Sequence, residues 1–440
     1  MNPSPLRAGA GYALVFAGLF LSLGAHLAFF PLWLEDRGLS AEEIGALTAY
    51  AVGVRIVAGV ALPALADQFE APRETIAGLA LLGAVATVLH LGVETRTGLY
   101  LLTTALAIAT AGVIPLSDAA AYAASERRGF SYPKARSAGS FAFLAATFLV
   151  GGLIEATRSD AVIWWMAASL LLMACAALTL PREAAPPRAA EGERGDEGER
   201  GDKGEEDGGR PLGGESRGGV ERQGGGESEA PVRPAVARRI LDLLSSRRFL
   251  LFLLSVSAIN AAHAVYYVYG SVHWRGLGLS ETVIGALWAW GVAAEIALFL
   301  LARRWMERLG PERALALAAL AAVLRWSAMA FDPGLLALIP LQALHAFTFG
   351  MMHLASIAFI AKAAPPEARA TAQGLMTATA GGLGMLAATT LSSWAYPTYA
   401  GGAYGFMAAS GLIGLLGAAI LIRGRARAPR AGEPAARPLS

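Results

Sequence analysis

Arg55, Asp118, Arg136, Glu295 and Arg325 lie inside apolar runs or at their ends. An ionisable group in such a run is costly to bury and marks a functional position by default. Glu295 can take up and release a proton. Arg55 and Arg325 supply fixed positive charge. Asp118 and Arg136 offer a carboxylate and a guanidinium, which together grip hydroxyl groups through charge-assisted hydrogen bonds. The same two side chains can instead form an ion pair that orients their helices, and Glu295 with Arg325 presents the same two alternatives. His26, His263, His345 and His353 also fall in apolar runs. His345 and His353 are eight residues apart, about 80° around a helix at ~100° per residue, so both can face one cavity. A lone histidine there can equally bond a neighbouring backbone carbonyl. Tyr266 and Tyr267 adjoin His263 and can line an aromatic pocket, and Asn260 lies just before them.

Other chemistries have little to work with. Cys175 is the only cysteine, which excludes a disulfide or a thiolate metal site within one chain. There is no phosphate loop. No nucleophile, base and oxyanion motif occur together, so an enzyme is not expected. Neither a cofactor nor a metal is expected, and no nucleic-acid partner.

The elements that carry these residues follow from composition. The chain has 440 residues, 55% of them hydrophobic and 16% charged, against roughly 25% charged in soluble domains. Its apolar runs of about 20 residues are each long enough to cross a bilayer. Backbone groups in lipid must be satisfied within their own segment, so an all-α membrane protein is predicted. Twelve spans are expected, at 8–34, 41–66, 73–92, 98–123, 135–157, 160–180, 247–273, 281–302, 311–331, 334–362, 368–395 and 402–422. The first lacks an A-x-A-type cleavage site and is read as a retained span.

The chain also repeats itself. Gly38 to Ile56 (GLSAEEIGALTAYAVGVRI) matches Gly278 to Ile296 (GLSETVIGALWAWGVAAEI), and the register continues to Asp67/Glu307 and Arg73/Arg313. Two pseudo-symmetric six-helix halves are expected, at 1–180 and 246–425. His26 and His263 hold roughly corresponding places in them. The largest difference between the copies is charge: Arg55 stands where the second copy has Glu295.

Residues 181–245 join the halves. Their Gly-, Glu- and Arg-rich middle predicts a disordered linker, ending in an amphipathic stretch, Val236 to Leu244, suited to a membrane surface. Residues 426–440 are a tail. One set of connections holds Arg73, Arg127, Arg128, Lys134, Arg308, Arg313, Lys362 and Arg369; the other holds Arg37, Arg96, Arg158 and Arg275, mostly beside acids. That asymmetry predicts cytoplasmic linker, tail and termini.

Two six-helix halves joined by a cytoplasmic linker resemble the major facilitator superfamily. Phe29-Phe30-Pro31-Leu32-Trp33-Leu34 is similar to the end of the first helix of oligosaccharide–proton symporters such as lactose permease. Pro115-Leu116-Ser117-Asp118-Ala119, Ala262-His263-Ala264-Val265-Tyr266-Tyr267, Leu324-Arg325-Trp326, Leu344-His345 and His353-Leu354-Ala355 resemble the phenylpropionate permease branch. The lactose permease likeness implies that Asp118 and Arg136 bind substrate, although Asp replaces a longer Glu and Phe143 stands in place of a stacking Trp. It also implies that Glu295, Arg325 and His345 form a proton-coupling group. There the family's carboxylate three residues after the histidine is Thr348 here, which leaves Glu295 as the leading proton carrier.

The expectation is therefore a secondary transporter of the bacterial inner membrane, acting as a monomer. It would import a small organic solute such as an aromatic carboxylate together with a proton, by alternating access. Arg55, with His26, Asp118, Arg136, Asn260, His263, Tyr266, Tyr267 and His353, would meet the substrate. A sugar or nucleoside symporter, an efflux pump and a transporter-like receptor remain as alternatives.

Overall fold

The computed structural model describes residues 5–69, 72–181 and 232–427. The expected linker, except its end, and most of the tail lie outside the described residues, as does the side chain of Asp67. Among the described residues the chain is helical throughout, with no strand. The first half comprises α1 (Pro5–Asp36), α2 (Ala41–Phe69), α3 (Pro72–Leu89), α4 (Arg96–Arg128), α5 (Tyr132–Ala156) and α6 (Ala161–Thr179). A surface helix, α7 (Val232–Ser245), follows where the amphipathic stretch predicts one. The second half comprises α8 (Arg247–Ala261), α9 (Ala264–Gly276), α10 (Glu281–Leu309), α11 (Pro311–Met329), α12 (Leu335–Ala343), α13 (Met352–Ala363), α14 (Arg369–Met376), α15 (Met385–Tyr399) and α16 (Tyr404–Arg427).

The repeated Gly-Leu-Ser is a helix stop followed by a helix start. Gly38 and Gly278 adopt φ of 78° and 88°, a left-handed conformation that glycine enters without a Cβ penalty. After each, a backbone bond closes a six-residue turn: Leu39 N to Leu34 O at 3.2 Å and Leu279 N to Trp274 O at 3.0 Å. This is the Schellman way of capping a helix end. The serine then caps the next helix. Ser40 Oγ accepts from Glu43 N at 3.3 Å while Glu43 Oε2 accepts from Ser40 N at 2.9 Å, a reciprocal capping box. Ser280 Oγ accepts from Val283 N at 3.5 Å.

The next repeated pair packs the halves together. A Cβ on Gly45 of α2 would run into Ser393 of α15 and the hydroxyl of Tyr269, and one on Gly285 of α10 would run into the Thr147 carbonyl of α5. Twin glycines thus set the two largest inter-half contacts, α2 on α15 and α5 on α10. Further bonds cross at this end: Tyr269 Oη donates to Ala41 O at 2.7 Å, and Thr282 N donates to Glu155 Oε2 at 3.2 Å. Arg275 binds Glu35, and Asp36 Oδ1 at 2.9 Å. Glu35 and Arg275 are themselves repeat twins, 240 residues apart. Twins that touch lie on the pseudo-twofold axis between the halves, so the bundle is closed on its axis at this end.

Nine helical stretches among the described residues are long and apolar enough to cross a membrane. One, Pro366–Gly424, is 59 residues, well beyond the roughly 20 that one crossing needs. α11 is not among them; it carries Glu312, Arg313 and Arg325 within its 19 residues.

Three expected spans are interrupted. The span at 247–273 breaks at Ala262–His263, between α8 and α9. Those at 334–362 and 368–395 each contain a π-helical stretch, Ala346–Met351 and Thr377–Gly384. Wide turns of this kind loosen the backbone bonding pattern and gather at functional sites. Here a side chain compensates: Asn260 Nδ2 donates to the Ala380 carbonyl at 2.9 Å. The glycines at 381, 382 and 384 therefore belong to a widened turn and do not serve close packing alone.

Candidate functional site

A cavity of about 830 Å³ lies between the halves, lined by α1, α2, α9, α14, the π stretch Thr377–Gly384 and α15. Its wall runs from Pro31, Thr48 and Thr389 near the closed end to Gly59 and Ala370 toward the end that holds the described termini. Most of that wall is apolar: Leu27, Phe30, Ile56, Val268 and Met385 contribute to it. Polar groups come from Thr48, Gln373, Thr377 and Thr389, and Tyr267 adds an aromatic face.

Arg55 and His26 are the basic groups in this lining, and among the described residues no carboxylate lines it. His26 stacks on Phe30, with ring centroids 4.9 Å apart. Neither His26 Nδ1 nor Arg55 Nε has a hydrogen-bond partner among the described residues. A small chamber of about 30 Å³ behind them, walled by α1, α2, α4 and α6, shares both side chains. Among the described residues this guanidinium has no counter-ion, and an anion in the cavity would supply the missing charge and hydrogen bonds.

Glu295, the repeat twin of Arg55, is placed otherwise. It faces the π stretch Ala346–Met351 within the second half, where His345 Nε2 lies 3.5 Å from Glu295 Oε2. The other ring nitrogen of His345 is 3.3 Å from Arg325 Nη1. Arg325 is fully buried. It donates to Thr348 Oγ1 at 3.2 Å and to Gln342 Oε1 at 2.8 Å, and its guanidinium lies 4.9 and 4.3 Å from the ring centroids of Tyr266 and Trp326. Thr348 also meets His263 Nε2 at 3.0 Å. Glu295 and Arg325 are thus joined through His345 and not as a direct pair. This network does not line the central cavity. Tyr267, stacked on His263 with centroids 5.4 Å apart, stands between the two.

The structure therefore brings His26, Arg55 and Tyr267 to the cavity, and Glu295, Arg325, His345, His263 and Tyr266 to the network. Asn260 serves the π stretch. His353 contacts Phe349, with centroids 6.5 Å apart, and is in neither group. Asp118 and Arg136 lie nearer the ends of α4 and α5. Arg136 Nε is 3.2 Å from Asp118 Oδ1, Tyr132 Oη donates to the same oxygen at 3.0 Å, and the guanidinium packs over Phe16 and Phe20. Neither residue is in the cavity wall.

The repeat register also refines one correspondence. The twin of His26 is Tyr266, and that of His263 is Leu23, one helical turn away. Gln342 is a site residue that sequence reasoning passes over, and Thr348 enters it only as a missing carboxylate. Their only local signal is three-residue spacing on either side of His345.

A closed inter-half end, a cavity at the midplane and charged groups on both sides of it define a membrane transporter. The chain belongs to the MFS_1 like family, whose profile matches residues 11–408. It is 26% identical over 352 residues to the probable 3-phenylpropionic acid transporter of Escherichia coli (strain K12), covering 79% of this chain and 81% of that one. It is 25% identical over 407 residues to a maltose permease of Geobacillus stearothermophilus, covering 92% of each. Among solved structures, the nucleoside transporter NupG superposes with a TM-score of 0.73 at 15% identity, covering 94% of this chain and 98% of that one. A POT family peptide transporter reaches 0.61 at 13% identity, covering 98% and 99%. At such identities the structural likeness speaks to fold.

Proposed function

We propose that the protein imports a small organic acid with an apolar, aromatic body together with a proton, by alternating access between twelve helices in two halves. The observation that carries this reading is the lone guanidinium of Arg55 in a mostly apolar cavity wall. A carboxylate would pair with Arg55, and an aryl group would rest among Phe30, Tyr267 and Met385. The relative named for 3-phenylpropionic acid supports that substrate class. Glu295 is the proton carrier, since it is the acid joined to the His345–Arg325 network. The two repeat twins then divide the work, with the solute anion on the first half and the proton on the second.

Asp118 and Arg136 satisfy each other outside the cavity wall, which supports an organising role for α4 and α5 over a sugar-gripping one. The cationic connections support a cytoplasmic position for both described termini, in the inner membrane. The cavity then reaches toward the cytoplasm. The monomer holds the whole cavity, so it is the proposed transporting unit.

The test is uptake of labelled 3-phenylpropionate into proteoliposomes under an imposed pH gradient, with maltose and nucleosides as competitors. Uptake driven by the gradient and blocked only by aromatic acids is expected. Arg55→Gln should weaken binding by about 10- to 100-fold, the ~1.5–3 kcal/mol of a hydrogen bond to a charged group. Competition by maltose or nucleosides, with Arg55→Gln binding unchanged, overturns the reading.

A further inference from the structure

Glu295 and His345 lie off the central cavity, so a proton that reaches Glu295 needs a way through the second half. We propose that His273 and Asp332 form the outer mouth of a proton relay, which continues through Tyr396 and Tyr404 to the Arg325–His345 network and Glu295. The proposal rests on the reading of Glu295 as the proton carrier.

Four observations carry it. First, Asp332 joins the outer surface to the interior. Its side chain is 44% exposed, yet its Oδ1 lies 2.9 Å from Nε2 of His273, whose side chain is 6% exposed. Second, this corner is built to hold the carboxylate. Asp332 adopts φ of 51°, a conformation uncommon for a residue with a side chain. A Cβ on Gly401 would come within 2.8 Å of the Asp332 carboxyl carbon, so only glycine leaves room there. Backbone conformations of this kind persist where surroundings enforce them, often at working sites.

Third, His273 faces inward with its other nitrogen. Nδ1 is 3.3 Å from the Tyr396 hydroxyl, and the rings of His273 and Tyr404 lie 5.9 Å apart. Fourth, the path beyond is rich in buried groups without a protein partner: Tyr404 Oη, Trp326 Nε1, Arg325 Nε and Gln342 Nε2. These groups are contiguous. Tyr404 stacks on Trp326 at 5.7 Å, and Trp326 adjoins Arg325. Buried polar groups are almost always satisfied by protein or by water, so this stretch suits water molecules that pass a proton between hydroxyls.

The titratable groups that face His273 are Asp332 from the α11–α12 connection, Tyr396 from α15 and Tyr404 from α16. Arg275, two residues along α9, is engaged by Glu35 and Asp36 of the first half and leaves the Asp332 carboxylate to the histidine. The relay moves protons only. Asp332 takes one from the outer solution and hands it to Nε2 of His273, while Nδ1 releases one to the Tyr396 hydroxyl. Water and the Tyr404 hydroxyl carry it to His345, which delivers it to the Glu295 carboxylate 3.5 Å away. Each transfer leaves the His273 proton on Nε2, and rotation of the ring, with reorientation of the hydroxyls and waters, restores the starting hydrogen positions before the next proton passes. Arg325 keeps its protons throughout and sets the field that speeds release from His345.

The test uses the full chain in proteoliposomes with the Asp332 face outward. After an acid jump outside, the carboxyl C=O infrared band that Glu295→Gln removes is followed in time. His273→Gln and Tyr404→Phe should slow its appearance by about tenfold or more, the scale of a lost proton-transfer group. Counterflow exchange of 3-phenylpropionate, which needs no net proton flux, should stay near wild type in both. An unchanged band rate in both variants overturns the relay. Equal loss of exchange and band rate in the conservative Tyr404→Phe also overturns it, because it marks the tyrosine as structural. A wild type whose carboxyl band is untouched by Glu295→Gln overturns the underlying assignment of the proton carrier instead.

Discussion

Arg55 and Glu295 occupy one position in two copies of the same sequence, yet one faces the cavity and the other a histidine. The cause is what surrounds each. α2 packs on α4 and α15 and leaves Arg55 beside His26 at the cavity wall. α10 packs on the π stretch that follows His345, and Gly350 there lets the Glu295 side chain settle against it: a Cβ on Gly350 would come within 3.2 Å of Glu295 Cγ. On the proposed reading the proton and the solute anion have separate seats, so coupling runs through the motion of the halves. A pH difference of one unit stores about 1.4 kcal/mol per proton, enough for roughly tenfold accumulation at one proton per solute. Glu295→Gln fixes the site as a neutral mimic, so accumulation should fall to none while solute binding and exchange persist. Substrate-induced proton uptake should vanish with it. Equal accumulation by variant and wild type would return Glu295 to a purely structural role.

At the scale of elements, the repeat of Gly-Leu-Ser is legible as identity between the two copies, and the turn it marks has local physics: a positive-φ glycine, a capping serine and an apolar run are neighbours in sequence. The charges in apolar runs were legible for the same reason. The breaks in the long spans were not, because what sustains them is distant. The π stretch at 377–384 rests on Asn260, 120 residues away from Ala380, and His263 at the α8–α9 break is held by Thr348, 85 residues on. Thr348 reads in isolation as the loss of a carboxylate, and its place between Arg325 and His263 exists only in three dimensions. Asp118 and Arg136 share one expectation in the sequence, as substrate ligands or as an ion pair, and they lie 3.2 Å apart, but a cavity wall is a property of packing that spacing does not report. The twin glycines give an element-scale prediction. Gly285→Leu places a bulky side chain where α10 meets the Thr147 carbonyl of α5. Overpacking costs about 1–3 kcal/mol, and here it bears on the closed end, so the conformation closed at that end should lose population by about 5- to 150-fold. Crosslinking between cysteines that replace Gly152 and Thr282, where a Cβ meets the Thr282 hydroxyl at 3.7 Å, should fall accordingly; crosslinking at the level of the Gly285 background would show that the contact yields without moving the halves.

At the scale of the whole molecule, the question is what holds one end shut while the cavity extends toward the other. Arg275 stands on the pseudo-twofold axis and reaches two carboxylates of the opposite half, Glu35 and Asp36, with Glu281 of its own half 3.9 Å away. Each side chain keeps partial exposure, 24% for Arg275 and 39% for the two acids of the first half. Exposed ion pairs contribute only about 0.2–1 kcal/mol each. The latch is therefore weak enough to open in every transport cycle and strong enough to bias it. Losing one to two kcal/mol shifts an equilibrium by a factor of about 5 to 30. Arg275→Gln should accordingly raise the fraction of molecules open at the Arg275 end, without unfolding the halves, whose cores do not include it. A cysteine at Thr48, in the cavity wall, reports this when the native Cys175 is replaced by alanine. A membrane-impermeant thiol reagent added on the Arg275 side should label Thr48→Cys several-fold faster in the Arg275→Gln background. High salt should narrow the difference, because it screens the wild-type latch. Equal labelling rates in both backgrounds, at low salt, would assign closure to the twin glycine contacts alone and leave Arg275 as a surface pair.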